Sequence, residues 1–217
     1  MITEETKQNI RSLGSSCARY TVHSGLANSS ISRIFTGCGV TSALPEGKRC
    51  DEEIEQEITQ AREGTIFLIS IGSNDLYLQN NGIRGIDILQ EVREFYQKIC
   101  LSAHRSQTEV LLIGLQPRFN THLIRLNPQS TSWTMMKLYD QYLAAKHNSW
   151  KRDMIELTNE PIKSTYLQLG TLLDDREFFL PDGVHLNPAG NALYMAIVES
   201  KLEDELKNNW SPIDYVI

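Results

Sequence analysis

Two short aliphatic runs, each closed by glycine, constrain this chain more than any other feature. They are Thr65-Ile66-Phe67-Leu68-Ile69-Ser70-Ile71 before Gly72, and Glu109-Val110-Leu111-Leu112-Ile113 before Gly114. Neither shows the apolar–polar alternation of a half-exposed strand, and both read as parallel strands covered on both faces. Ile10 to Leu13 and Ser32-Arg33-Ile34-Phe35 are weaker strand candidates, and Thr165-Tyr166-Leu167-Gln168-Leu169 is a plausible last strand. Helical spacing fills the intervals: Cys50 to Arg62, Ile86 to Ala103, Trp133 to Leu157 and Pro188 to Leu206. Pro188 suits a first helical turn. Strands alternating with helices require right-handed crossovers, so the class is α/β, a parallel sheet with helices on both sides. Such a sheet gathers its ligand site at the carboxyl ends of its strands.

The chain has 217 residues, 41% of them hydrophobic, which suits one domain over residues 1–217. It shows no internal repeat and no low-complexity linker. Its formal net charge of −6 lacks the basic footprint of a nucleic-acid binder. Lysines and arginines are scattered rather than gathered into a polybasic anchor, and no apolar run approaches the roughly 18 residues of a membrane span. The first seven residues, Met1 to Lys7, are polar and acidic, without the apolar core of a signal peptide, so the expectation is a cytoplasmic chain. Cys17, Cys38, Cys50 and Cys100 show neither a CxxC pair nor metal-ligand spacing and read as reduced thiols, two or three of them buried.

Four loops stand out, each after a strand candidate or before the last helix. They are Gly14-Ser15-Ser16-Cys17, Gly37-Cys38-Gly39-Val40-Thr41, Gly72-Ser73-Asn74-Asp75, and Pro181-Asp182-Gly183-Val184-His185-Leu186-Asn187-Pro188-Ala189-Gly190. Together they resemble the ordered blocks of the SGNH (GDSL-like) hydrolase family. Gly-Ser-Asn-Asp is similar to the family's third block, Asp-Gly-Val-His-Leu-Asn-Pro-Ala-Gly to its fifth, and Gly39 to the glycine of its second. The first block departs from the family: Gly14-Ser15-Ser16 stands where Gly-Asp-Ser is usual, which puts the nucleophile on Ser16 with Ser15 as its neighbouring rival. The resemblance implies a three-layer α/β/α sandwich on a five-stranded parallel sheet, flavodoxin-like in the order 2-1-3-4-5.

The chemistry leads to the same residues. A serine hydroxyl needs a base within hydrogen-bond reach. His185 is the histidine in a strong motif, and Asp182, three residues upstream, can hold its tautomer from the same loop. Preorganised donors for a developing oxyanion are the Ser16 N–H, the Gly39 N–H and the Asn74 amide. Asp75 reads as structural. Each assignment has a plainer rival: Ser15 and Ser16 as helix-capping residues, Gly37 and Gly39 as turn formers, Asp182-Gly183 as a turn. Trp133, Met135, Met136, Tyr139 and Tyr142 read as a packing stripe. Residues 116 to 132 form a candidate substrate loop, with Arg118 either meeting substrate or lying solvated.

The leading expectation is a serine esterase or deacylase acting on small carboxylic esters, such as an acyl-lipid, acetylated sugar or aryl ester, through Ser16, His185 and Asp182. It implies no cofactor and no metal, and a small-molecule ester rather than nucleic acid as partner. Oligomeric state is not legible. The alternative is a catalytically inactive SGNH-like module that binds a lipid, a glycan, RNA or a protein partner.

Overall fold

The computed structural model describes residues 1–77, 85–119, 133–170 and 172–210. Strands β1 (Ile10–Gly14), β2 (Arg33–Ile34), β3 (Ile66–Ser70), β4 (Glu109–Ile113) and β5 (Ser164–Leu167) form one sheet. Every pairing is parallel, in the order β2-β1-β3-β4-β5. The helices are α1 (Glu4–Gln8), α2 (Arg19–His23), α3 (Asp51–Thr59), α4 (Ser73–Tyr77), α5 (Gly85–Arg105), α6 (Trp133–Thr158) and α7 (Pro188–Lys207). No described helix is long and apolar enough to cross a membrane.

The aliphatic runs are buried on both faces because successive strand residues point to opposite sides. Phe67, Ile69, Val110 and Leu112 enter one core with Ile54 and Ile58 of α3, Val92 and Ile99 of α5, and Met136 and Leu143 of α6. Ile66, Leu68, Leu111 and Ile113 enter the other, with Tyr194, Val198 and Leu202 of α7. This is the expected three-layer sandwich. Tyr139 and Tyr142 pack against the first core, as the stripe reading requires, while Met135 is exposed. All four cysteines are free; Cys17, Cys50 and Cys100 are buried and Cys38 is partly so.

The first strand is stronger than its polar sequence suggests. β1 lies between β2 and β3 and pairs with β3 along its whole length, from Ile10 opposite Ile66 to Gly14 opposite Ser70. Its polar side chains each find a partner. Arg11 donates to the Ile31 carbonyl at 2.8 Å and pairs with Glu57. The Ser12 hydroxyl donates to the Ala18 carbonyl at 3.0 Å and accepts from the Thr21 hydroxyl at 2.8 Å. Buried polar groups that are satisfied in this way cost little, so the strand remains central. At the other end of the chain, the Asn187 side chain accepts from the Gly190 N–H at 2.9 Å and Pro188 opens α7.

Gly14 ends β1 at a point no other residue can occupy. Its φ is +143°, and a Cβ there would meet the Ser70 carbonyl oxygen at 2.1 Å. Gly14→Ala is therefore expected to lower stability by at least about 2 kcal/mol through backbone strain and clash. Urea denaturation checks this, and an unchanged midpoint would remove Gly14 as the stop of β1.

Candidate active site

Each strand delivers one loop to the carboxyl edge of the sheet. β1 leads through Ser15 into a short 3-10 turn, Ser16–Ala18, and then α2. The Ser15 N–H donates to the Ser70 carbonyl at 2.9 Å, which holds this turn against the end of β3. Ser15 is 3% exposed, and although it occupies the N-cap position its side chain makes no capping bond. Ser16, one residue on, is partly exposed. Burial thus separates the two serines and leaves Ser16 the one with access to solvent.

Past β5, residues 179–186 fold back on themselves, closed at the base by an antiparallel bridge between Phe179 and Leu186. Arg176 clips this turn by donating to the carbonyls of Phe179 and Pro181. Inside it, Asp182 Oδ2 and His185 Nδ1 are 2.7 Å apart, and Asp182 Oδ1 accepts the N–H groups of Val184 (2.9 Å) and His185 (3.0 Å). Burial pushes the Asp182 carboxyl up, but the His185 ring and those two N–H groups outweigh it and hold the carboxyl at about 2. An ionised Asp182 favours the tautomer with the proton on Nδ1, which leaves Nε2 unprotonated. The pair is open to water, with the Asp182 side chain 44% and the His185 side chain 40% exposed.

Three contacts fix this turn to the neighbouring loops. Gln116 Nε2 donates to the Val184 carbonyl at 2.7 Å, the Phe119 N–H to the Gly183 carbonyl at 2.7 Å, and the Leu186 N–H to the Tyr20 hydroxyl at 3.0 Å. Tyr20 lies in α2, one helical turn beyond Ser16, so His185 is tied to the element that follows the candidate nucleophile. Among the described residues no hydrogen bond joins Ser16 to His185. Nucleophile–base bonds of this kind are commonly long before substrate binds.

The remaining residues are placed by a buried carboxylate. Asp75 Oδ1 accepts the N–H groups of Val40 (2.8 Å) and Thr41 (2.7 Å), locking the loop after β2 onto α4. This agrees with a structural role for Asp75, whose carboxyl burial pushes up. Gly39 is required here because a Cβ would meet the Asp75 carboxylate at 2.3 Å. The expectation that Gly39 supplies an oxyanion donor needs correcting: its N–H donates to the Lys48 carbonyl at 2.9 Å. Asn74 Nδ2 donates to the Cys38 carbonyl at 2.8 Å, and Arg118 Nη2 donates to Asn74 Oδ1 at 2.6 Å. Arg118 is 8% exposed, so the solvated alternative for it is also corrected. Of the candidate substrate loop, residues 120–132 lie outside the described residues.

Sequence reasoning missed Gln116 and Tyr20 as anchors of the histidine turn, and Asp140 altogether. Asp140 accepts the N–H groups of Leu115 (2.8 Å) and Gly170 (2.6 Å) and the Tyr166 hydroxyl (2.7 Å), joining the ends of β4 and β5 to α6. Burial pushes its carboxyl up to about 6 despite these donors. Its signal was in the sequence: Asp140 falls between Met136 and Leu143 on the apolar stripe of α6. Among the described residues no group of three or more His, Cys, Asp or Glu is placed to hold a metal ion.

No protein-family model matches the chain, and no curated protein sequence matches it. Solved structures do. A GDSL-like lipase from Bacteroides thetaiotaomicron superposes with a TM-score of 0.57 at 10% identity, over 93% of this chain and 90% of that one. A candidate SGNH hydrolase from Slackia heliotrinireducens gives a TM-score of 0.56 at 14% identity, over 89% and 97%. A candidate arylesterase from Agrobacterium tumefaciens gives 0.50 at 14% identity, over 90% and 98%. The fold is therefore the SGNH hydrolase fold, in the strand order that the resemblance implied.

The Asp75 clamp yields a measurable coupling. Asp75→Ala leaves two buried N–H groups unpaired, at about 1–3 kcal/mol each, so a loss of about 2–6 kcal/mol in urea denaturation is expected. Gly39→Ala should be destabilising in the wild-type background and much less so beside Asp75→Ala. Strictly additive losses would contradict the close approach of Gly39 to Asp75.

Proposed function

We propose that this chain is a serine hydrolase of small carboxylic esters, with Ser16 as nucleophile, His185 as base and Asp182 as its orienting carboxylate. The observation that carries the reading is the 2.7 Å Asp182–His185 contact in a turn tied through Tyr20 to the helix that follows Ser16. In the first half-reaction Ser16 Oγ attacks the ester carbonyl carbon and its proton passes to His185 Nε2. The bond to the leaving alcohol then breaks, and His185 returns the proton to that oxygen. Water, deprotonated by His185, attacks the acyl-enzyme, the carboxylic acid leaves and Ser16 regains its proton. Asp182 stays ionised throughout.

The oxyanion donors in this reading are the Ser16 N–H and the second N–H of the Asn74 amide, whose first is engaged by Cys38. Gly39 is left out, for the reason given above. A carbonyl-bound Gly39 N–H and a Ser16 without a bond to His185 are the two features that favour the alternative, a binding module that has lost turnover. The lipase and arylesterase among the structurally similar proteins suit an ester substrate, whether acyl-lipid, acetylated sugar or aryl ester.

Hydrolysis of a short-chain aryl ester tests the reading. Ser16→Ala and His185→Ala should each lower kcat by about 10⁴-fold or more, and Asp182→Asn by about 10³–10⁴-fold, with folding intact. Full activity in Ser16→Ala would exclude Ser16 as the nucleophile.

The pH dependence has a definite form as well. Asp182 is depressed to about 2, so its contribution to stability is present above its ordinary value near 4 and is lost as pH falls towards 2. Between pH 5 and 8 Asp182 therefore stays ionised and should add no step of its own to the pH dependence of activity or stability. A carboxylate step above about pH 4.5 in the pH–activity profile would show that Asp182 is not held as the structure has it.

A further inference from the structure

Arg118 holds an unusual place for an arginine: 8% exposed, with its guanidinium on the side-chain oxygen of Asn74 at 2.6 Å. On the opposite side of the same amide, Asn74 Nδ2 donates to the Cys38 carbonyl at 2.8 Å. An asparagine amide can present either end, and its neighbours decide which. A guanidinium only donates and a carbonyl only accepts, so Arg118 and Cys38 together admit a single orientation. Oδ1 faces Arg118, and both N–H bonds turn the other way.

Two physical effects follow. A charge-assisted bond is short and strong, and a cation on an amide oxygen draws electrons from the nitrogen, making its N–H a better donor. The cation also sits in a water-poor region, where its field reaches further than it would in water. Its reach towards the nucleophile's turn is visible at Cys17, directly after Ser16. Burial pushes the Cys17 thiol up, and Arg118 is the foremost influence drawing it back.

We infer that Arg118 is a positioning residue for catalysis: it orients and polarises the Asn74 amide so that its N–H meets the oxyanion formed at Ser16. This rests on the assignment of Ser16 and Asn74 proposed above and adds to it. The substrate-contact alternative gives Arg118 a direct grip on the ester. Positioning through Asn74 uses a partner it already has, and requires no contact with substrate.

The test compares Arg118→Gln and Arg118→Lys, each alone and combined with Asn74→Ala, on a short-chain aryl ester. Arg118→Gln should lower kcat about 10-fold with KM within about twofold, a fraction of the 10²–10³-fold that one oxyanion donor supplies. Once Asn74 is alanine, the same change should cost less than about threefold, because two residues acting through one contact are not additive. Arg118→Lys keeps the charge but not the planar fork and should give an intermediate loss; it also covers the case in which the glutamine variant does not fold. Equal losses in both backgrounds, or a loss confined to KM, would overturn the inference in favour of a structural or substrate-contact role.

Failure of the underlying assignment is separable. If the wild-type chain hydrolyses no ester, or Ser16→Ala leaves hydrolysis unchanged, the site itself is wrong and the role of Arg118 falls with it. If Ser16→Ala abolishes hydrolysis while the Arg118 variants turn over like wild type, only the role of Arg118 is overturned.

Discussion

The close approach of Gly14 to the Ser70 carbonyl sets where the first strand stops, and the candidate site is built outward from that point. β1 and β3 stay in register up to this pair, and the next N–H, that of Ser15, closes on Ser70 as well. One residue further the chain is free to turn, and Ser16 emerges at the sheet edge. Ser70 is also the last residue of β3, a few positions before Asn74. One backbone contact therefore places Ser16, the proposed nucleophile, and the Asn74 amide on adjacent strand ends.

Parallel strands leave their terminal backbone groups without neighbours, so the loops at this edge need partners from elsewhere. Two buried carboxylates supply them. Asp75 gathers the loop after β2 onto α4, and Asp140 gathers the ends of β4 and β5 onto α6. Each exchanges several backbone N–H groups for a single desolvated side chain, which is tolerable only because the donors are preorganised. The histidine turn is held differently: Arg176 clips it, and neutral contacts from Gln116, Phe119 and Tyr20 tie it to the neighbouring loops. Its rim, with Asp182 and His185, stays half-exposed.

Much of the architecture was legible because the aliphatic runs of β3 and β4 carry no competing helical period, and Asn187-Pro188 marks the start of α7. The polar first strand was less legible: Arg11 is satisfied by Ile31 and Glu57, 20 and 46 positions away, and Ser12 by Ala18 and Thr21 across a turn that sequence alone does not reveal. Asp182 and His185 were legible since both lie in one turn. Gly39 was misread because a glycine's role depends on what approaches it, here a carboxylate from a helix after another strand. Arg118 was ambiguous for the same reason, as its partner Asn74 is 44 positions away. Ionisable residues on apolar stripes were the available signal that went unused. Asp140, His147 and Lys151 all sit on the inner face of α6, and all three are buried.

The central claim is that Ser16, rather than Ser15, is a serine activated by His185. Reaction of the purified chain with a fluorophosphonate, followed by mass-spectrometric mapping of the adduct, addresses it most directly. The structure predicts a single adduct on Ser16, abolished by His185→Ala. An adduct on the buried Ser15, or no adduct on a folded chain, would contradict it.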